Sequence, residues 1–78
     1  MMTIAQQVAD LLKDCSTFTI YGGYALTPTG QVSFPTGVQE LETRNRQGQV
    51  EHARYIYADG SRLTYKREPD NGFTLATR

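Results

Sequence analysis

VQELETRNRQGQVEHARYIYADGSRLTYKREPDNGFTLATR, residues 38–78, decides the fold, because its glycines at 48, 60 and 72 recur every twelve residues, each after a turn-forming pair. Arg46-Gln47-Gly48, Ala58-Asp59-Gly60 and Asp70-Asn71-Gly72 each suit a three-residue hairpin loop, a type I turn whose third residue becomes left-handed. The spacing predicts a β-meander over 38–77 in which Asn45 closes against Gln49, Tyr57 against Ser61 and Pro69 against Phe73.

Counting outward from those loops separates two faces. Even positions place Glu40 opposite Arg54, Glu42 opposite His52, His52 opposite Lys66 and Arg44 opposite Val50, a charged ladder suited to water. Odd positions gather Leu41, Ala53, Tyr55, Leu63, Tyr65, Phe73 and Leu75 on an inner face, with Glu51 and Arg67 opposed at its rim. Val38 and Ile56 face each other on the charged side, a small apolar pair that either meets the 17–34 segment or marks a contact surface. A two-residue turn at Asp59-Gly60 would instead bring Tyr55 and Tyr57 beside Arg62 and Lys66. The three-residue loop separates apolar from charged positions more cleanly and is the expected register.

Upstream, Thr3-Ile4-Ala5-Gln6 reads as a capping box. Ile4, Val8, Leu11, Leu12 and Cys15 then form a helical stripe over residues 4–15, made for packing on the sheet's inner face. Thr17 to Tyr21 alternates as a strand. Gly22-Gly23 is either a two-residue hairpin turn or a bulge, and it lacks the pattern of a phosphate-binding loop. Thr27-Pro28-Thr29-Gly30 is a β-turn leading to a short strand, Gln31 to Phe34. The expected architecture is one α+β domain over residues 1–78: an N-terminal amphipathic helix, short strands and turns at 17–34, and an antiparallel meander, with about four to six strands in all.

Composition narrows the function. The 78 residues carry 38% apolar and 21% charged side chains and no net charge, an ordinary globular balance with no run long enough to span a membrane. Met1 to Asp10 lacks the marks of a secretory signal, and the single cysteine, Cys15, permits no internal disulfide, so a cytoplasmic setting is expected. Residues 43–67 hold six basic side chains against Glu51 and Asp59, making the middle of the meander locally basic.

His52 is the one candidate acid or base near neutrality, but it falls on an open face without cleft-forming insertions. Cys15 lies at a helix C-terminus, where the dipole disfavours a thiolate, and one His with one Cys is too few for a metal site. No catalytic residue, cofactor or metal is expected.

The leading expectation is a small non-catalytic protein-interaction module, a regulator or inhibitor that occludes a larger partner protein. Its contact residues would be Val38, Arg54, Ile56, Arg62 and Lys66, with Tyr57, beside the turn, as the more exposed meander tyrosine. One alternative is a single-stranded nucleic-acid binder that stacks bases on tyrosines flanked by cations. A second is a small enzyme or ligand-binding subunit whose site is completed at a dimer interface. A thin core, polar inner positions at Gln39, Thr43 and Thr77, and a final strand without charges, Phe73 to Thr77, favour a homodimer.

Overall fold

The computed structural model describes residues 1–70 and 72–78. Along the chain run α1 (Ile4–Leu12), β1 (Thr19–Ile20), β2 (Tyr24–Thr27), β3 (Gly30–Ser33), β4 (Val38–Arg44), β5 (Val50–Ile56), β6 (Arg62–Arg67) and β7 (Phe73–Thr77). The fold is α+β, and the meander occupies the expected residues as a four-stranded antiparallel sheet in the order β4-β5-β6-β7. The short strands upstream make a sheet of their own, β1-β2-β3, rather than extending the meander.

Helix α1 starts as its capping box requires. The Thr3 hydroxyl accepts from the Gln6 N–H at 3.1 Å, and Gln6 Oε1 accepts from the Thr3 N–H at 2.9 Å. The next two orphan donors are satisfied from the far end of the chain: Ile4 N–H donates to Asp59 Oδ2 at 2.9 Å and Ala5 N–H to Ser61 Oγ at 3.0 Å. The β5–β6 turn therefore acts as a second cap on the helix. The helix ends at Leu12, with Lys13 as C-cap, earlier than expected, because the Cys15 N–H turns in to the Leu12 carbonyl at 3.1 Å. Its buried stripe is Ala5, Val8 and Leu12, whereas Leu11 is 50% exposed. On a helix of 3.6 residues per turn, Leu11 lies about 90° from the middle of that stripe, and the small Ala5 and Ala9 let the other flank approach the sheet.

Two of the three meander loops close as their spacing implies. Asn45 N–H donates to the Gln49 carbonyl and Tyr57 N–H to the Ser61 carbonyl, both at 2.9 Å, with Gly48 at φ 81° and Gly60 at φ 83° supplying the left-handed residues. The third loop as expected, Asp70-Asn71-Gly72, includes Asn71, which lies outside the described residues. Around it the register differs: Arg67, not Pro69, pairs with Phe73, and the closing bond runs from Glu68 N–H to the Gly72 carbonyl at 2.9 Å. Pro69 has no N–H and could not make the closing bond, so the preceding residue makes it. The slide is two residues, which keeps every β7 side chain on its expected face.

The β4–β5 pair is corrected more substantially. Val38 faces Ile56 and Arg44 faces Val50, but register shifts at Gln39/Leu41 and Thr43/Arg44 leave Leu41 opposite Arg54, Glu42 opposite Ala53 and Thr43 opposite His52. Glu40 therefore does not oppose Arg54, Glu42 does not oppose His52, and Leu41 leaves the inner row. Bulges of this kind bend an edge strand and protect it from adding another. His52 does pair with Lys66. Arg67 is not ion-paired to Glu51 among the described residues; its Nε donates to the Val50 carbonyl at 3.2 Å.

The core lies between the meander's inner face and two covers. Helix α1 packs on β6 and β7, and the β1–β2 hairpin covers the rest. Phe18 meets Tyr65 and Phe73 edge-on, with ring centroids 5.5 and 4.6 Å apart, and the Tyr55 hydroxyl donates to the Ile20 carbonyl at 3.4 Å. Gly22-Gly23 is the hairpin turn, closed by Tyr21 N–H to the Tyr24 carbonyl at 2.8 Å. Its backbone touches the 35–37 crossover: the Gly37 N–H donates to the Gly22 carbonyl, and a Cβ on Gly22 would sit 2.8 Å from the Gly37 oxygen. Gly37 in turn lies against the Tyr57 ring, where a Cβ would come within 2.5 Å of the ring carbon. The diglycine is explained by backbone packing.

Candidate interaction face

The central even-numbered positions of β5 and β6 form a face that neither α1 nor the small sheet covers, whereas Arg44 and Val50, expected on that face, lie beyond the second register shift and line an inner cleft with Phe18 and Tyr65. β5 alternates sharply at its centre, with Ala53 and Tyr55 buried and Arg54 exposed between them, because successive side chains of a strand point to opposite sides. Ile56 pairs with Val38 on one side and Arg62 on the other, and Arg54 with Leu41 and Thr64. Lys66 lies between His52 and Thr74. Five of the six expected contact residues, Val38, Arg54, Ile56, Arg62 and Lys66, thus share one face.

Tyr57 does not join them. It is 3% exposed, as buried as Tyr55 at 4%, and it points inward against Gly37, so the expectation that it is the more exposed of the two is corrected. A turn-flanking position is open only if nothing crosses it, and here the crossover between β3 and β4 does. Burial pushes its phenol up to about 12, with the neighbouring Tyr55 adding to the shift. Burial likewise raises the Tyr55 and Tyr65 phenols above their ordinary value. The two-residue turn that would have placed tyrosines beside Arg62 and Lys66 does not form.

The face contains a shallow groove of about 480 Å³, lined by Arg54, Arg62, Arg78, Thr64 and Glu40 among others. Arg78 arrives there because the β6–β7 ladder runs on past β7: Arg62 and Arg78 exchange backbone hydrogen bonds of 3.1 and 3.0 Å. Glu40, the residue bulged out of β4, meets Arg62 Nε at 3.0 Å. Glu40 pairs with Arg62, and Arg54 has no ion pair among the described residues. Val38, 68% exposed, extends the face with apolar surface beside Ile56.

Sequence reasoning missed Arg78, which the slid β7 register sets beside Arg62. It also missed a second exposed patch, on the small sheet, where Tyr21 and Tyr24 stack at 4.7 Å near exposed Leu26. The one signal for that patch was the pair of tyrosines flanking Gly22-Gly23. Among the described residues no group of three or more His, Cys, Asp or Glu side chains is placed to hold a metal, and no helix is long and apolar enough to cross a membrane. No protein-family model matches the chain, and neither does any curated protein or solved structure.

Proposed function

We propose that this chain is a non-catalytic protein-interaction module whose working surface is the uncovered face of the meander. The observation that carries the reading is the division of β5 and β6: their tyrosines fill the core, while Arg54, Arg62 and Lys66 stand outside with Val38 and Ile56. A rigid sheet presenting cations around a small apolar centre suits a protein surface of opposite charge, where aromatic or aliphatic contacts give affinity and charges give orientation. A cytoplasmic regulator that occludes a larger acidic partner fits that surface.

The nucleic-acid alternative loses its stacking residues to the core and retains only the cations. Self-association belongs to a different surface. Strand β7 ends the sheet with the sequence Phe-Thr-Leu-Ala-Thr, free of charge, while the opposite edge strand β4 is bulged and charged. A homodimer through β7 would leave the basic face open. Light scattering at high micromolar concentration should report the dimer, and a monomer there removes it.

Affinity capture from a cell extract tests the main reading. A stoichiometric protein partner should be recovered with the native chain and lost with Ile56→Asp or Arg54→Glu, both still folded. Retention of that partner by both variants would move the interface elsewhere, and recovery of salt-sensitive single-stranded nucleic acid instead would favour the alternative.

A further inference from the structure

We propose that the cleft at the open end of the two layers binds a small amphipathic anion, an aromatic or medium-chain aliphatic carboxylate. This site is on the inner side of the meander, away from the basic face, and stands or falls independently of it. The cleft lies between the segment leading into β1 and the β4–β5 hairpin and holds about 360 Å³, within the range of small-ligand pockets.

Its walls join two chemistries. Phe18, Ile20, Val50 and Tyr65 supply apolar surface continuous with the core, and Arg44 and Arg67 bring two guanidinium groups, with no carboxylate in the lining. Both arginines are held from behind by the backbone of the same hairpin. Arg44 Nη1 donates to the Gly48 carbonyl at 2.7 Å while its Nε meets Glu42 at 2.6 Å, and Arg67 Nε donates to the Val50 carbonyl at 3.2 Å. Arg44 Nη2 and both Nη atoms of Arg67 have no protein partner among the described residues.

Anchored guanidinium groups have little freedom left to lose when a ligand arrives, and their remaining donors suit the two oxygens of a carboxylate. The edges of Phe18, Ile20, Val50 and Tyr65 that reach the cleft give an anion with an apolar body a contact that a small, strongly hydrated one lacks. Carboxylates moderate both cations from outside the lining, Glu42 at Arg44 and, across a neighbouring pocket, Glu51 and Glu68 at Arg67.

Titration of the full chain, followed by amide chemical shifts, provides the test, with phenylacetate and octanoate as probes and phenylacetamide and inorganic phosphate as controls. Saturable binding of a carboxylate probe below about 10 mM is expected. Shifts should centre on Phe18, Val50 and Tyr65, affinity should fall at least tenfold for phenylacetamide, and Arg67→Gln should weaken binding as much. Arg44→Gln serves as a second variant if Arg67→Gln disturbs the fold, and Lys13→Gln, at the end of α1, should change nothing. Absence of saturable shifts from both carboxylates, or equal binding of the amide, overturns the site; equal binding of phosphate overturns its amphipathic assignment.

Discussion

Tyr57 carries a hydroxyl that is buried and makes no hydrogen bond among the described residues. Leaving such a group dry costs about 1 to 3 kcal/mol, so Tyr57→Phe should leave thermal stability unchanged or raise it. A drop of more than about 1 kcal/mol on that change would show that the hydroxyl is bonded in solution. Its phenol, pushed up to about 12, also gives an alkaline signature. The folded state favours the protonated form, so the stabilisation is complete below the ordinary phenol value near 10 and is lost as pH rises toward 12. Base titration followed by circular dichroism should show native unfolding in that window, and Tyr57→Phe should shift it upward. Asp59 acts in the opposite sense. The Ser61 hydroxyl first, then the Ile4 and Ser61 N–H groups, hold its carboxyl below the usual range, so its contribution is present above about 3.8 and lost as pH falls through the lower folded value. Asp59→Asn should lower the melting temperature at neutral pH and flatten its dependence on acid.

At the scale of elements, the hairpin turn at Ala58-Asp59-Gly60 and helix α1 stabilise each other through Asp59 and Ser61. Ser61→Ala removes a buried cap partner and should cost about 1 to 2 kcal/mol, with the loss of amide protection concentrated in the first turn of α1 rather than in β5 and β6. Unchanged protection there would mean the cap is idle. Two loops and the place, though not the closure, of the third were legible in the sequence because their chemistry is local: Asn45, Asp59 and Asp70 each accept, through a side-chain oxygen, the N–H two residues on. Loop parity then sorted the inner tyrosines from the outer arginines. The bulges in β4–β5 left no glycine or proline as a sign, and Glu40 leaves the ladder to reach Arg62, a strand beyond its neighbour. The burial of Tyr57 is not legible in the sequence for a related reason, since it depends on Gly37, whose fit against the ring is a tertiary fact. Gly37→Ala should therefore cost about 1 to 3 kcal/mol, as overpacking does, although the residue lies in a connection.

At the scale of the whole molecule, two neighbours on one strand separate building from binding. Tyr55 faces a core shared by the helix and both sheets, while Arg54 faces the open groove. A chain of 78 residues is expected to be stable by about 4 to 12 kcal/mol, so a loss of about 3 to 5 kcal/mol from Tyr55→Ala is a large part of the total. Arg54→Glu, on a face without ion-pair obligations at that residue, should stay within about 0.5 kcal/mol of the native chain. The most direct measurement is thermal unfolding of these two variants side by side by circular dichroism. Tyr55→Ala is predicted to be largely unfolded or to melt far below the native protein, with Arg54→Glu melting within a few degrees of it; a well-folded Tyr55→Ala with a native melting temperature would contradict the division of the meander into a tyrosine core and a basic binding face.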